Sequence, residues 1–267
     1  MVAYKSALCS ILAYTSQVVN GLALPDQASR GTIETRANAL GNGVALRIMP
    51  MGASITWGTG SSEGNGYRKY LRDLLTQNGN QVNMVGANHS GTMQDNESSS
   101  TEGLLVDQVH AVANVVVPKF KPNVVLINAG TNDCIRNNDI PNIGDRVLLL
   151  LNDIYKTSPK ATIILSTLLV YTKDPEANKR ITDYNVQINS LVKRFQAAGW
   201  PIILADMQEK DKGPVKGDFI GDEIHPTDVG YMKMANIWYA ALQDASNAGY
   251  LKTPEIVAGL PDDGLAQ

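Results

Sequence analysis

The 267-residue sequence predicts an α/β fold, a three-layer α/β/α sandwich around a five-stranded parallel sheet. Two observations support it: five short apolar runs follow one another along the chain, and a longer segment with helical spacing follows each run. Strands that are apolar along their whole length are typical of parallel sheets, because helices cover both faces of the sheet. The five predicted strands are 44–49, 82–85, 124–128, 162–166 and 202–205.

The predicted helices have apolar residues three or four positions apart. The segment 176–198 shows this spacing most clearly, since Ile181, Ile188 and Phe195 fall on one face. The segment 87–102 is rich in Ser, Asn and Gly, and it is predicted to be a long irregular loop. The remaining helices are predicted at 67–77, 104–120, 142–157 and 228–247.

Length and composition indicate one large domain with targeting and terminal segments around it. Residues 1–23 resemble a secretory signal peptide, because a lysine precedes an apolar stretch and small residues follow at a cleavage position. The segments that follow are interpreted as a linker or N-terminal arm (24–43), the domain (44–249) and a polar C-terminal tail (250–267). We therefore expect a secreted, extracellular monomer without a membrane span. The net charge of −3 gives no electrostatic reason to expect nucleic acid as a partner.

The two cysteines and two glycosylation sequons agree with this interpretation. Cys9 lies in the predicted signal peptide, so Cys134 would be alone in the mature chain and a disulfide scaffold is excluded. We expect Cys134 to pack in the core rather than to act in catalysis. The sequons predict glycosylation of Asn88 and Asn96 in one polar segment.

Polar residues follow three of the predicted strands at the point where each strand ends. Ser54 follows the first strand, Asn132 the third, and Asp222 and His225 the fifth. Because the carboxyl ends of parallel strands meet at one edge of a sheet, we expect these residues to share a site. A hydroxyl, an imidazole and a carboxylate are the parts of an activated serine nucleophile. In that scheme Ser54 attacks, His225 accepts its proton and Asp222 fixes the imidazole tautomer.

Each of these residues also has an ordinary structural explanation. Ser54 can cap a helix, Asn132 can be a turn residue, and an isolated Asp-x-x-His is commonly a surface loop. As a set they favour an oxyanion hole made by the backbone N–H of Ser54, the side-chain amide of Asn132 and a glycine N–H. Gly103, at the start of a predicted helix, is favoured for that glycine over Gly86, which ends the second strand.

Metal and cofactor chemistry fit the sequence poorly. Three histidines and one mature cysteine do not make a zinc set, and a di-metal phosphoesterase needs more histidines. The sequence also lacks a glycine-rich phosphate-binding motif. We therefore predict neither a metal nor a cofactor.

Four blocks of the chain together resemble the SGNH hydrolases of the GDSL esterase superfamily, over about 44–245. The resemblance implies a flavodoxin-like sheet, Ser54 as nucleophile, His225 as base and Asp222 as its orienting residue. It also implies oxyanion donors at Ser54, Gly103 and Asn132, since a spacing of 29 residues between the last two is usual in the family. One departure is Ala53, where the family commonly has Asp. The blocks are Gly52-Ala53-Ser54-Ile55-Thr56, the region of Gly103, Gly130-Thr131-Asn132-Asp133 and Asp222-Glu223-Ile224-His225-Pro226.

Further segments resemble carbohydrate esterase family 3, which contains acetylxylan esterases. That resemblance implies a secreted serine esterase that removes acetyl groups from a carbohydrate such as acetylated xylan. Two alternatives remain: a GDSL-type lipase or esterase acting on lipid or other small esters, and a carbohydrate-binding relative that has lost catalysis. The segments are Arg47-Ile48-Met49-Pro50-Met51-Gly52, Gly66-Tyr67-Arg68-Lys69-Tyr70-Leu71, Val85-Gly86 and Val106-Asp107-Gln108-Val109.

Overall fold

The computed structural model describes residues 39–265. The predicted signal peptide and most of the predicted arm therefore lie outside the described residues. The strands are β1 (Leu46–Gly52), β2 (Val82–Met84), β3 (Asn88–His89), β4 (Glu97–Ser100), β5 (Val124–Asn128), β6 (Thr162–Ser166) and β7 (Ile202–Ala205). The helices are α1 (Ser54–Trp57), α2 (Gly66–Gln77), α3 (Val106–Phe120), α4 (Thr131–Arg136), α5 (Ile143–Thr157), α6 (Pro175–Ala197) and α7 (Asp228–Asn247). Short 3₁₀ turns occupy Leu40–Gly43, Ile140–Asn142 and Lys216–Asp218.

The five predicted strands form the parallel sheet, in the flavodoxin-like order β2-β1-β5-β6-β7. The position beside β1 is shared, because β2 pairs with the first half of β1 and β4 pairs with the second half. The predicted irregular loop over 87–102 is wrong in part: β3 and β4 form an antiparallel hairpin, and β4 adds to the sheet. The residues of β4 are polar, with low strand propensity and no alternation of apolar and polar side chains, so the sequence does not predict their pairing with β1.

Helices cover both faces of the sheet, which confirms the three-layer sandwich. On β5 the side chains alternate: Val125 and Ile127 contribute to one core, and Val124 and Leu126 to the other. The first core is shared with α3, α5 and α6, and the second with α2 and α7. Strands β1, β2, β5 and β6 are thus buried along their whole length, as the apolar runs predict, whereas Ile203 and Leu204 of the edge strand β7 are half-buried.

Strand β1 continues three residues beyond its predicted end at Met49, passing through Pro50 to Gly52. The carbonyl of Ile48 accepts a hydrogen bond from the N–H of Val85, so the backbone polar groups of Ile48 point towards β2. Those of every second residue along β1 point the same way. Pro50 has no N–H to donate. Its nitrogen lies on the same side of β1 as β2 and β4, between the end of β2 and the start of β4, so the ladder between β1 and β5 loses no hydrogen bond.

The segment 250–265, predicted as a polar tail, folds back against the amino-terminal edge of the sheet. Asp262 forms a two-point ion pair with Arg47 of β1, with both nitrogen–oxygen distances at 2.7 Å. Arg47 is only 2% exposed, and it also donates to the carbonyl oxygens of Phe120 and Glu255 at 3.1 and 2.8 Å. The segment therefore supplies the charge that compensates a buried guanidinium in β1, an interior strand of the sheet.

Candidate active site

Ser54, His225 and Asp222 form one hydrogen-bonded chain. The hydroxyl oxygen of Ser54 lies 2.8 Å from Nε2 of His225, and Nδ1 of His225 lies 2.6 Å from Oδ2 of Asp222. The two segments are 171 positions apart in sequence, so the fold alone brings them together. With Nδ1 protonated and donating to Asp222, Nε2 carries the lone pair that can accept the hydroxyl proton of Ser54.

The predicted nucleophile, Ser54, follows a tight turn that requires glycine at position 52. Ser54 is the first residue of α1, directly after β1 and Ala53. A Cβ at Gly52 would lie 2.2 Å from the carbonyl oxygen of Asn128 and 2.6 Å from the hydroxyl of Thr56. The chain therefore turns sharply where β1 leaves β5. Because the Ser54 side chain contacts His225, its structural alternative as a helix cap is not realised.

Arg68 stabilises this turn through hydrogen bonds to its backbone. No role for this residue was predicted from the sequence. Its side chain is fully buried on α2 and donates to the carbonyls of Thr56 and Trp57, both at 3.0 Å. It also donates to Ser90 Oγ at 2.6 Å and to the Asn96 carbonyl at 2.8 Å, and so ties α1 to the β3–β4 hairpin. Burial lowers the pKa of Arg68 to about 10, so it remains protonated at neutral pH. The available signal was a lone arginine on the apolar face of an amphipathic helix.

Asp222 shapes the loop that carries His225, the predicted base. Its Oδ1 accepts the backbone N–H groups of Ile224 and His225 at 2.9 and 3.0 Å, while its Oδ2 binds the imidazole. Partial burial of the carboxyl opposes its ionisation, but these hydrogen bonds outweigh that effect and lower the pKa of Asp222. The adjacent helix α7 is capped by the hydroxyl of Thr227.

The predicted oxyanion residues lie on two neighbouring loops. Asn132, in the first turn of α4, donates one amide N–H to the carbonyl of Leu104 at 3.1 Å, and its amide nitrogen has a second hydrogen available. Gly103 lies in the turn just before α3, with φ of +79°, rather than at the helix start, which is Val106. A Cβ at Gly86 would lie 2.1 Å from the backbone of Ser98. Gly86 is therefore explained by close packing, and Gly103 remains the predicted donor.

Asp133 and Cys134 both have structural positions, as the sequence predicts for Cys134. Asp133 is fully buried and accepts from the N–H of Val106 at 3.0 Å and from Arg146 at 2.7 Å, so it joins α3, α4 and α5. Cys134 is buried, and desolvation together with the nearby Asp133 raises the pKa of its thiol to about 12. A thiol in this state is not a nucleophile at neutral pH.

The remaining histidines and the sequon asparagines have partners elsewhere. His110 lies 2.8 Å from Asp153, and His89 lies 3.0 Å from the side-chain oxygen of Asn96. The amide nitrogen of Asn88 donates to the Ser100 carbonyl at 2.8 Å, and that of Asn96 also has a partner inside the fold. Glycosylation of Asn88 and Asn96 stays a prediction.

Within 39–265, the His, Cys, Asp and Glu side chains do not form a group of three or more placed to hold a metal ion. Over the same range, the helices are too short or too polar to cross a bilayer.

Comparison with known proteins supports the assignment that the geometry suggests. The profile of the GDSL-like Lipase/Acylhydrolase family matches residues 51–233. A multidomain esterase of Ruminococcus flavefaciens is 26% identical over 238 residues, which are 79% of this chain and 29% of that protein. The chain therefore spans less than a third of the length of that curated relative.

Solved structures agree on the fold. A family 3 carbohydrate esterase of Clostridium thermocellum superposes with a TM-score of 0.68 at 29% identity, covering 76% of this chain and 98% of that one. A family 3 carbohydrate esterase of Talaromyces cellulolyticus gives 0.65 at 20% identity, covering 76% and 99%. The family match spans both the nucleophile turn and the catalytic His loop, and the chain belongs to the GDSL-like lipase and acylhydrolase family of carboxylic ester hydrolases.

Proposed function

We propose that the protein is a secreted serine esterase that removes short acyl groups, foremost acetyl, from a carbohydrate such as acetylated xylan. The observation that carries the chemistry is the continuous chain from Ser54 through His225 to Asp222. The substrate class draws on the polar rim described below, on the likeness to the Clostridium thermocellum family 3 carbohydrate esterase and on the resemblance noted in the sequence.

The mechanism follows from the order of the three groups. His225 accepts the proton of Ser54 as its oxygen attacks the ester carbonyl, and the backbone N–H of Ser54 and the amides of Gly103 and Asn132 receive the negative oxygen. His225 then gives the proton to the departing sugar hydroxyl, and an acyl-enzyme remains. Water, deprotonated by His225, releases the carboxylic acid and restores Ser54.

The rim of the site favours a polar alcohol over a lipid. Glu102, beside Gly103, accepts a hydrogen bond from the hydroxyl of Thr59. On the other side Glu223, inside the catalytic loop, accepts from the hydroxyl of Thr172. Carboxylates and hydroxyls at the mouth of a site are the groups that bind sugar hydroxyls, and they disfavour a long apolar chain.

The deciding experiment measures acetate release from acetylated xylan and hydrolysis of p-nitrophenyl acetate and octanoate. We expect Ser54→Ala and His225→Ala to lower kcat by roughly 10⁴-fold or more while the circular dichroism spectrum is unchanged. His110→Ala is the matched control, because His110 also pairs with an aspartate but lies outside the triad. Full turnover by Ser54→Ala would rule out the mechanism, and serine-dependent cleavage of octanoate alone would indicate a lipid esterase.

Secretion has its own test. Expressed with residues 1–23 in a secreting host, the protein should appear in the medium with a new N-terminus near residue 24, as read by N-terminal sequencing. An intact Met1 in the medium or retention in the cell would contradict the signal-peptide assignment. A glycosidase-dependent loss of mass would at the same time report on Asn88 and Asn96.

A further inference from the structure

A separate cavity lies beside the triad, across the loop that joins α1 to α2. One face of this loop packs on the catalytic segment: a Cβ at Gly60 would lie 3.1 Å from the Cβ of His225. The following residues turn away and line a cavity of about 240 Å³. Because α2 and α7 both begin here, the cavity opens at the same edge of the sheet as Ser54. Its lining includes Ser61, Ser62, Glu63, Lys69, Tyr70 and Asp228.

Hydrogen bonds fix the walls of this cavity. The hydroxyl of Ser61 donates to the carbonyl of Gly58 at 2.6 Å and accepts from the N–H of Gly66 at 3.0 Å. The N–H of Ser62 donates to Asp228 at 3.0 Å, which joins the loop to the first turn of α7. A ligand would therefore meet a preformed wall, at little cost in ordering the loop.

The lining combines groups that suit a neutral sugar. Glu63 and Asp228 supply carboxylate acceptors, and Lys69 has donors beyond the one that pairs with Asp73 at 2.8 Å. The carboxylates around this single ammonium disfavour an anionic ligand. Tyr70 is half-buried and presents an aromatic surface with a polar end. The volume is below the roughly 300–1,000 Å³ of pockets for drug-sized ligands, so it matches a single ring.

Tyr70 also extends the surface away from the triad. It lines a second cavity of about 250 Å³ together with Leu74, Met232 and Asn236, between α2 and α7. The two cavities thus meet at one tyrosine. A linear chain of sugars leaving the first cavity would continue over this aromatic ring.

We propose that the cavity lined by Glu63, Tyr70 and Asp228 is a binding subsite for an unmodified sugar of the polysaccharide chain whose acylated sugar lies at Ser54. This inference rests on the proposed function, because it takes the substrate to be an acylated polysaccharide. It predicts that the protein favours oligosaccharides over single acetylated sugars.

Binding tests the subsite without requiring catalysis. We would titrate the protein with unacetylated xylohexaose by calorimetry, using wild type, Tyr70→Ala and Tyr70→Phe. We expect Tyr70→Ala to weaken binding by about tenfold and Tyr70→Phe to stay within about threefold, since phenylalanine keeps the ring. Tyr239→Ala is the matched control, because Tyr239 lies on α7 but outside the cavity lining.

The same variants can be compared by their kcat/KM values on long and short acetylated oligosaccharides. The ratio of kcat/KM for acetylated xylohexaose to that for acetylated xylobiose should fall about tenfold in Tyr70→Ala relative to wild type. A structural defect would lower both rates together and leave the ratio unchanged. Glu63→Gln should shift the ratio in the same direction, because it weakens an acceptor for sugar hydroxyls.

The outcomes separate the two proposals. Xylohexaose binding that depends on Tyr70, without acetate release from xylan, would support the subsite and contradict the proposed function. Acetate release with a length ratio unaffected by Tyr70→Ala would overturn the subsite alone. The subsite would also be overturned if wild type did not bind xylohexaose. A different cavity of about 450 Å³ is lined by Lys119, Phe120 and Leu260, and loss of xylohexaose binding in Lys119→Met would place the sugar there instead.

Discussion

Asp222 uses its two oxygens for two different purposes. Oδ2 orients the imidazole of His225, and Oδ1 accepts the backbone N–H groups that close the loop. Although partial burial disfavours the charge, the three hydrogen bonds keep the pKa of Asp222 below its usual value. The same carboxylate therefore sets both the tautomer and the position of the base.

Asp222→Asn separates these purposes. Asparagine keeps an oxygen for the two backbone N–H groups, but its NH₂ cannot accept a hydrogen bond from Nδ1–H of His225. We expect a folded protein whose kcat for p-nitrophenyl acetate falls by roughly 10³–10⁴-fold. A loss of less than tenfold would show that another group orients His225.

The lowered pKa of Asp222 also predicts a pH dependence of stability. A carboxyl whose pKa is lower in the folded state stabilises the fold above its unfolded pKa of about 3.9, and this contribution is lost as the pH falls through the folded value. The difference in unfolding free energy between wild type and Asp222→Asn should therefore be constant from about pH 7 to 5 and shrink below about pH 4. Urea unfolding across this range measures it, and a difference that persists unchanged to pH 3 would contradict the prediction.

At the residue scale, the sequence was informative where chemistry follows a strand end. Ser54, Asp222 and His225, each in a short motif after an apolar run, are brought within hydrogen-bonding distance as expected, and their catalytic roles, like that of Asn132, stay a prediction. Arg68 could not be assigned a role, since most of its partners are backbone carbonyls of distant segments, which leave no pattern in the side chains.

At the scale of elements, the edge of the sheet beside β1 is built from two strands rather than one. Apolar β2 was predicted, whereas polar β4 was not. The four residues of β4 are all buried, and the hydroxyls of Ser98 and Ser100 lie 2.7 Å apart. A polar segment that is stabilised by tertiary pairing has no hydrophobic period to reveal it.

The loop between α1 and α2 offers a prediction at this scale. Gly60 has φ of +93° and packs against the His225 segment, whereas Gly199 has φ of +80° with no atom within 4 Å of its Cβ position. Alanine at either position should cost about 1–2 kcal/mol from the left-handed backbone. Only Gly60→Ala should also lower kcat, because its methyl group would lie 2.7 Å from the carbonyl oxygen of Pro226.

Thermal unfolding and p-nitrophenyl acetate kinetics of both glycine variants provide the comparison. The expected result is a larger stability loss in Gly60→Ala than in Gly199→Ala, because only the first adds a steric clash to the backbone cost, and a reduced kcat in Gly60→Ala alone. Equal activity in the two variants would mean that the loop does not position His225.

At the scale of the whole molecule, the segment 250–265 packs against the amino-terminal ends of the strands, opposite the candidate active site. Its contact between Asp262 and the buried Arg47 joins positions 215 apart. No local pattern links two residues so far apart, which is why composition alone suggested a tail. The five parallel strands that follow apolar runs, in contrast, could all be predicted, because each carries its own local pattern.

Removing the carboxylate of Asp262 tests how much its ion pair with Arg47 stabilises the fold. We expect Asp262→Ala to lower the unfolding free energy by about 3 kcal/mol, because the guanidinium of Arg47 stays buried without its counter-charge. Asp263→Ala, at the exposed neighbouring position, is the control. Urea unfolding of the two variants measures the difference, and equal stability would show that the ion pair contributes nothing net.

The pairing of Arg47 with Asp262 has a consequence during synthesis. At roughly 5–20 residues per second, translation delivers Asp262 roughly 10–40 s after Arg47. Until then, β1, an interior strand of the sheet, contains a cation whose counter-ion has not yet been made. The strand that leads to Ser54 therefore cannot complete its ion pair until residue 262 has been synthesised.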